Sequence, residues 1–65
     1  MWIVVGMANS LPIANDMQSA LEAEGLLVNV QDMSDGAKRS RKTIEILVLE
    51  SELDSAREIL RENGY

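Results

Sequence analysis

Apolar positions along the chain switch between two spacings, and each switch marks an element. The chain opens with Trp2-Ile3-Val4-Val5, a short run rich in β-branched side chains that ends at Gly6. This predicts a strand. Asn9-Ser10-Leu11-Pro12 then reads as a helix start, because Asn or Ser accepts from free N–H groups and Pro is tolerated in the first turn. Ile13, Met17, Ala20, Leu21 and Glu24 recur at helical spacing and Ala14 widens the stripe. Asp16, Gln18, Ser19 and Glu22 take the opposite face. Gly25 is the predicted stop.

Leu26 to Gln31 predicts a second strand, with Val28 and Val30 on one face and Leu27, Asn29 and Gln31 on the other. Asp32 to Lys42 is polar and contains the turn signal Ser34-Asp35-Gly36. Thr43 to Leu49 predicts the third and most hydrophobic strand. Ile44, Ile46 and Val48 point one way; Thr43, Glu45, Leu47 and Leu49 point the other. Ser51 and Asp54 suggest a capping box for a second helix. Its buried stripe is Leu53, Ala56, Ile59 and Leu60, and Asn63-Gly64 ends it. Arg57 and Arg61 fit the later turns, where the helix dipole favours cations.

The order β-α-β-β-α makes one α+β domain over residues 1–65. A strand-helix-strand unit implies a right-handed crossover, and two strands joined by a polar loop imply an antiparallel hairpin. The expected sheet has order 1-3-2, with strands 1 and 3 parallel, strands 2 and 3 a hairpin, and both helices on one face. This is a ferredoxin-like split β-α-β without its last strand. Two surfaces are left uncommitted. The first strand is an apolar edge with no Pro, Lys or Glu to guard it. The sheet face away from the helices collects Leu27, Leu47 and Leu49, joined either by Trp2 and Val4 or by Ile3 and Val5. Trp2, Val4, Leu27, Leu47 and Leu49 are the candidate interaction residues, and a homodimer or partner protein is the expected occupant.

Composition narrows the chemistry. A chain of 65 residues buries only about 60% of its unfolded surface, so self-association is a natural supplement to its core. There is no Cys and no His, which removes disulfides, thiolate metal sites and the commonest general base. The core must be aliphatic, because Trp2 and Tyr65 are the only aromatics. Met7, Met17 and Met33 read as packing residues. A net charge of −5 weighs against general nucleic-acid binding. No apolar run approaches the roughly 20 residues of a membrane span, and no signal-peptide pattern opens the chain. A cytoplasmic location is the resulting expectation.

The sharpest charged feature is Lys38-Arg39-Ser40-Arg41-Lys42. The remaining residues carry eleven acidic against two basic side chains, net −9. Lys38, Arg39, Arg41 and Lys42 are candidate anion contacts, balanced against a solvated hairpin loop that hinders aggregation. Gly6 to Ser10 could offer N–H groups at the helix start, but it lacks both the dinucleotide and the phosphate-loop glycine patterns. Glu22 and Glu24, like Glu50, Glu52 and Asp54, read as solvated helix surface rather than acid-base pairs. No nucleophile-base pair supports an enzyme, and no cofactor or metal site is expected.

Trp2-Ile3-Val4-Val5, Leu21-Glu22-Ala23-Glu24-Gly25-Leu26-Leu27-Val28 and Glu45-Ile46-Leu47-Val48-Leu49-Glu50-Ser51-Glu52-Leu53 together resemble small bacterial signal-transducing domains of unknown function. These look like truncated relatives of the PII nitrogen-regulatory fold. The resemblance covers the chain except residues 32–42. It implies a regulatory role and a functional loop between strands two and three, and it supplies no catalytic residues. Two functional expectations follow. One is a self-associating regulatory or interaction module. The other is a sensor of a small anionic ligand or nucleotide, using the 34–42 loop and the first helix start.

Overall fold

A computed structural model describes residues 1–33 and 42–65. The elements are β1 (Trp2–Ala8), α1 (Leu11–Ala23), β2 (Val28–Asp32), β3 (Ile44–Leu49) and α2 (Leu53–Glu62), with a 3-10 turn at Glu50–Glu52 before α2. The sheet order is β1-β3-β2. Both neighbours of β3 run antiparallel to it. The expected parallel pairing of the first and third strands is therefore incorrect. The reason lies in the connections themselves. The crossover through α1 makes β1 co-directional with β2, and the hairpin then reverses β3 against both.

Strand alternation sets the layers. Ile44, Ile46 and Val48 are fully buried and form one cluster with Met17 and Leu21 of α1 and Ala56 and Leu60 of α2. Both helices therefore pack on the face carrying those β3 side chains. Val28 and Val30 add to this cluster from β2, Leu53 and Ile59 from α2. These are the predicted inner faces of the second strand and second helix.

β1 is longer than its apolar run. It continues through Gly6 to Ala8, so Gly6-Met7-Ala8 is strand rather than a linker that could cradle an anion. Val4 pairs with Leu47 and Gly6 with Ile46, leaving Val5 as an extra residue in a β-bulge. The bulge resets the alternation. Ile3, Gly6 and Ala8 lie opposite Val48, Ile46 and Ile44, while Trp2, Val4 and Met7 lie opposite Leu49, Leu47 and Glu45. Gly6 fits this place because a Cβ there would meet the Met17 Cε at 2.7 Å.

Helix ends follow the expected chemistry at three of four termini. The Ser10 hydroxyl accepts from the Ile13 N–H at 3.3 Å. At the other end of α1 the Gly25 N–H donates to Glu22 O and the Leu26 N–H to Leu21 O. Gly64 to Arg61 and Tyr65 to Leu60 repeat this pattern after α2. Both are Schellman closures, with the glycines at φ +86° and +89°. The start of α2 differs. Ser51 lies inside the 3-10 turn and Glu52 is the N-cap without a side-chain hydrogen bond, so the Ser51–Asp54 box does not form. Met7, Met33 and Ile13 are also exposed, contrary to their expected packing roles. The buried stripe of α1 is narrower, formed by Ala14, Met17 and Leu21.

Two stability measurements check this core. Leu21→Ala should lower unfolding free energy by about 2–5 kcal/mol in urea melts, whereas Ile13→Ala should cost less than about 1 kcal/mol. Equal losses would contradict the placement of α1. Gly25→Ala should cost about 1–2 kcal/mol from the left-handed backbone alone, since no atom lies within 4 Å of the added Cβ.

Candidate functional site

The sheet face without helices is built by the odd positions of β3. Leu47 and Leu49 lie there, beside Val4 and Trp2 of β1. Direct partners in an antiparallel pair share a face and sit close enough to touch. Trp2–Leu49 and Val4–Leu47 thus form two adjacent apolar rows. Of the two alternatives for β1, it is Trp2 and Val4 that join the open face. Met7 extends the patch along β1 towards Glu45.

The apolar exposure is uneven. Leu47 is only 9% exposed, while Trp2 and Val4 remain 43% and 41% exposed. The β2 side is polar, with Asn29 opposite Leu47 and Gln31 opposite Glu45. Leu27 precedes β2 and is 64% exposed. Continuing the pairing of Val28 with Val48 brings it level with Leu49. Four of the five candidate interaction residues, Trp2, Val4, Leu47 and Leu49, therefore share one face, with Asn29 and Gln31 on its β2 side, and Leu27 lies just before that strand.

The candidate anion contacts are less well supported. Lys38, Arg39 and Arg41 lie outside the described residues. Lys42 lies inside them, with its Nζ 3.7 Å from Asp32 Oδ2 and both side chains about half exposed. Such a pair contributes little to stability, but it offsets the lysine charge. The first helix start is occupied by its own cap, the Ser10 hydroxyl.

Sequence reasoning missed a groove of about 480 Å³ beside β1. Val5, Gly6 and Met7 supply one wall and Met17 of α1 contributes from beneath. Arg57, Leu60 and Arg61 of α2, with Tyr65 after it, supply the other side. A signal was available: each arginine directly follows a buried residue, Ala56 or Leu60, so it flanks the inner stripe of α2. Arg61 is shared with Glu58, which its hydrogen bond and charge hold below the usual carboxylate range. The stabilisation from this pair is present above the ordinary Glu range and is lost as pH falls through the lowered value. Both groups are exposed, so the effect on folding is small.

A second groove, about 510 Å³, runs between the end of α1 and α2 and is bordered by Glu24, Asp54 and Glu58. Among the described residues no three carboxylates are grouped to hold a metal ion. Among the same residues, no helix is long and apolar enough to cross a membrane.

Comparison with protein-family models, curated proteins and solved structures finds no match.

The assignment of faces is tested by two charged substitutions. Val4→Lys should leave the domain folded, with a cost of no more than about 1 kcal/mol. Ile46→Lys should abolish cooperative folding, because it buries an unpaired charge. Circular dichroism with urea melts separates the two, and similar behaviour would contradict the assignment.

Proposed function

We propose that this chain is a small regulatory or protein-interaction module that works as a homodimer, joined through the open sheet face. The observation that carries this reading is the exposed Trp2 and Val4 beside Leu49 and Leu47, on the face opposite both helices. A half-exposed Trp next to aliphatic cross-strand partners gains apolar burial when a second sheet covers it. Two such faces can stack about 10 Å apart, as in sheet-on-sheet packing. The chain's small core makes that added burial valuable.

The face is favoured over the free edge of β1. An edge recruits another strand best when it is flat and regular, and the bulge at Val5 interrupts this one. Asn29, Gln31 and Glu45 would set the limit of the contact. The order of elements matches a ferredoxin-like unit lacking its last strand, and the resemblance to small signal-transducing domains of the PII type agrees with a regulatory role. No catalytic step is part of this reading. An anion sensor at 34–42 has less support, since Lys42 is paired with Asp32.

The test uses mass and the single Trp. Light scattering should give twice the chain mass at high concentration, with Trp2 emission moving to longer wavelength as dilution releases monomer. Trp2→Lys with Val4→Lys should give a folded monomer. Monomer mass from micromolar to millimolar concentration, with unchanged Trp2 emission, would contradict the proposal.

A further inference from the structure

Only two cations lie outside the 38–42 run, Arg57 and Arg61, and both border the same groove. None of the described acidic residues lines it, although the chain holds eleven. On a body this acidic, that separation of charge is selective. Apart from the two arginines and the Tyr65 hydroxyl, the lining of the groove is apolar, with Val5, Met17 and Leu60 among it. Its volume of about 480 Å³ falls within the range of small-molecule sites.

We propose that this groove binds a small organic anion with an apolar tail, such as a medium-chain carboxylate. The tail lies on Val5, Met17 and Leu60, and the head meets Arg57. Among the described residues Arg57 makes no ion pair, so its guanidinium retains its full donor set. Arg61 shares its charge with Glu58 and adds less. A guanidinium recognises a carboxylate through two parallel N–H donors, which fixes orientation as well as charge. The Met17 terminus is flexible and polarisable, which suits an alkyl chain of variable fit. Gly6 keeps the floor open, since a side chain there would displace the Met17 Cε.

An extended acidic peptide added to β1 is the competing occupant. It needs a regular row of backbone groups, and the bulge at Val5 breaks that row beside the groove. A compact amphipathic anion needs no such row. The groove lies beside β1 against α1 and α2, and of the open-face residues of β1 only Met7 also borders it, so the site is tested separately from the contact at Trp2 and Val4.

The experiment is an amide chemical-shift titration of the full chain with sodium octanoate. Saturable movement should concentrate at Val5 to Met7, Leu60 and Tyr65. 1-Octanol should bind about tenfold more weakly, as should octanoate to Arg57→Gln, because a charge-assisted hydrogen bond is lost. Arg57 is exposed, so the variant should keep a dispersed spectrum. Several results would overturn the proposal: no saturable movement, equal binding of octanol, acetate acting as strongly as octanoate, or shifts centred on Trp2, Val4 and Leu47. An acidic peptide that moves the β1 amides where octanoate does not would assign the groove to a strand partner instead.

Discussion

The rest of the structure depends on β3 being paired on both edges while, among the described residues, helices cover only one of its faces. Its even-numbered residues, Ile44, Ile46 and Val48, are fully buried under the helices. Its odd-numbered residues then have no choice of side, because side chains alternate across a strand. Leu47 and Leu49 are therefore carried to the face opposite the helices by the same rule that buries Ile46 and Val48. Among the described residues both helices pack on the face of Ile44, Ile46 and Val48. The apolar open face is thus a direct consequence of making the central strand hydrophobic on both sides.

The bulge at Val5 decides what joins that face. With unbroken alternation from Ile3 and Val5, Met7 would have turned inwards and Gly6 outwards. One extra residue reverses this, placing Gly6 against the Met17 methyl and Met7 outside. A one-residue shift moves every later side chain to the other face. The bulge also gives β1 an irregular edge beside the groove that Arg57 and Arg61 border. Two surfaces of different character, one apolar and one apolar with a cationic rim, thus share the same strand.

Much of the fold was legible in the residues. Period-2 alternation in 28–31 and 43–49 identified the correct inner faces, and Gly25 and Gly64 marked both helix ends. The direction of the first strand follows only when the crossover and hairpin rules are applied together, which sets it antiparallel to the third. Gly6 read as a stop because glycine is poor in strands, and only the three-dimensional approach of Met17 explains it there. Ser51 looked like a cap because local spacing cannot show that a 3-10 turn intervenes. Of the two surfaces, the open face could be found from alternation alone, except for the side taken by Trp2. The groove could not, since it joins residues of β1, α1 and α2 that are far apart in the chain.

Covering of the open face by its counterpart in a second copy is the central claim, and contacts between differently labelled copies test it most directly. A half-filtered nuclear Overhauser experiment on a mixed sample reports only protons that meet across an interface. The account predicts intermolecular signals among the Trp2 indole and the methyl groups of Val4, Leu47 and Leu49. Their absence at millimolar concentration, or signals confined to backbone protons along the outer edge of β1, would contradict it.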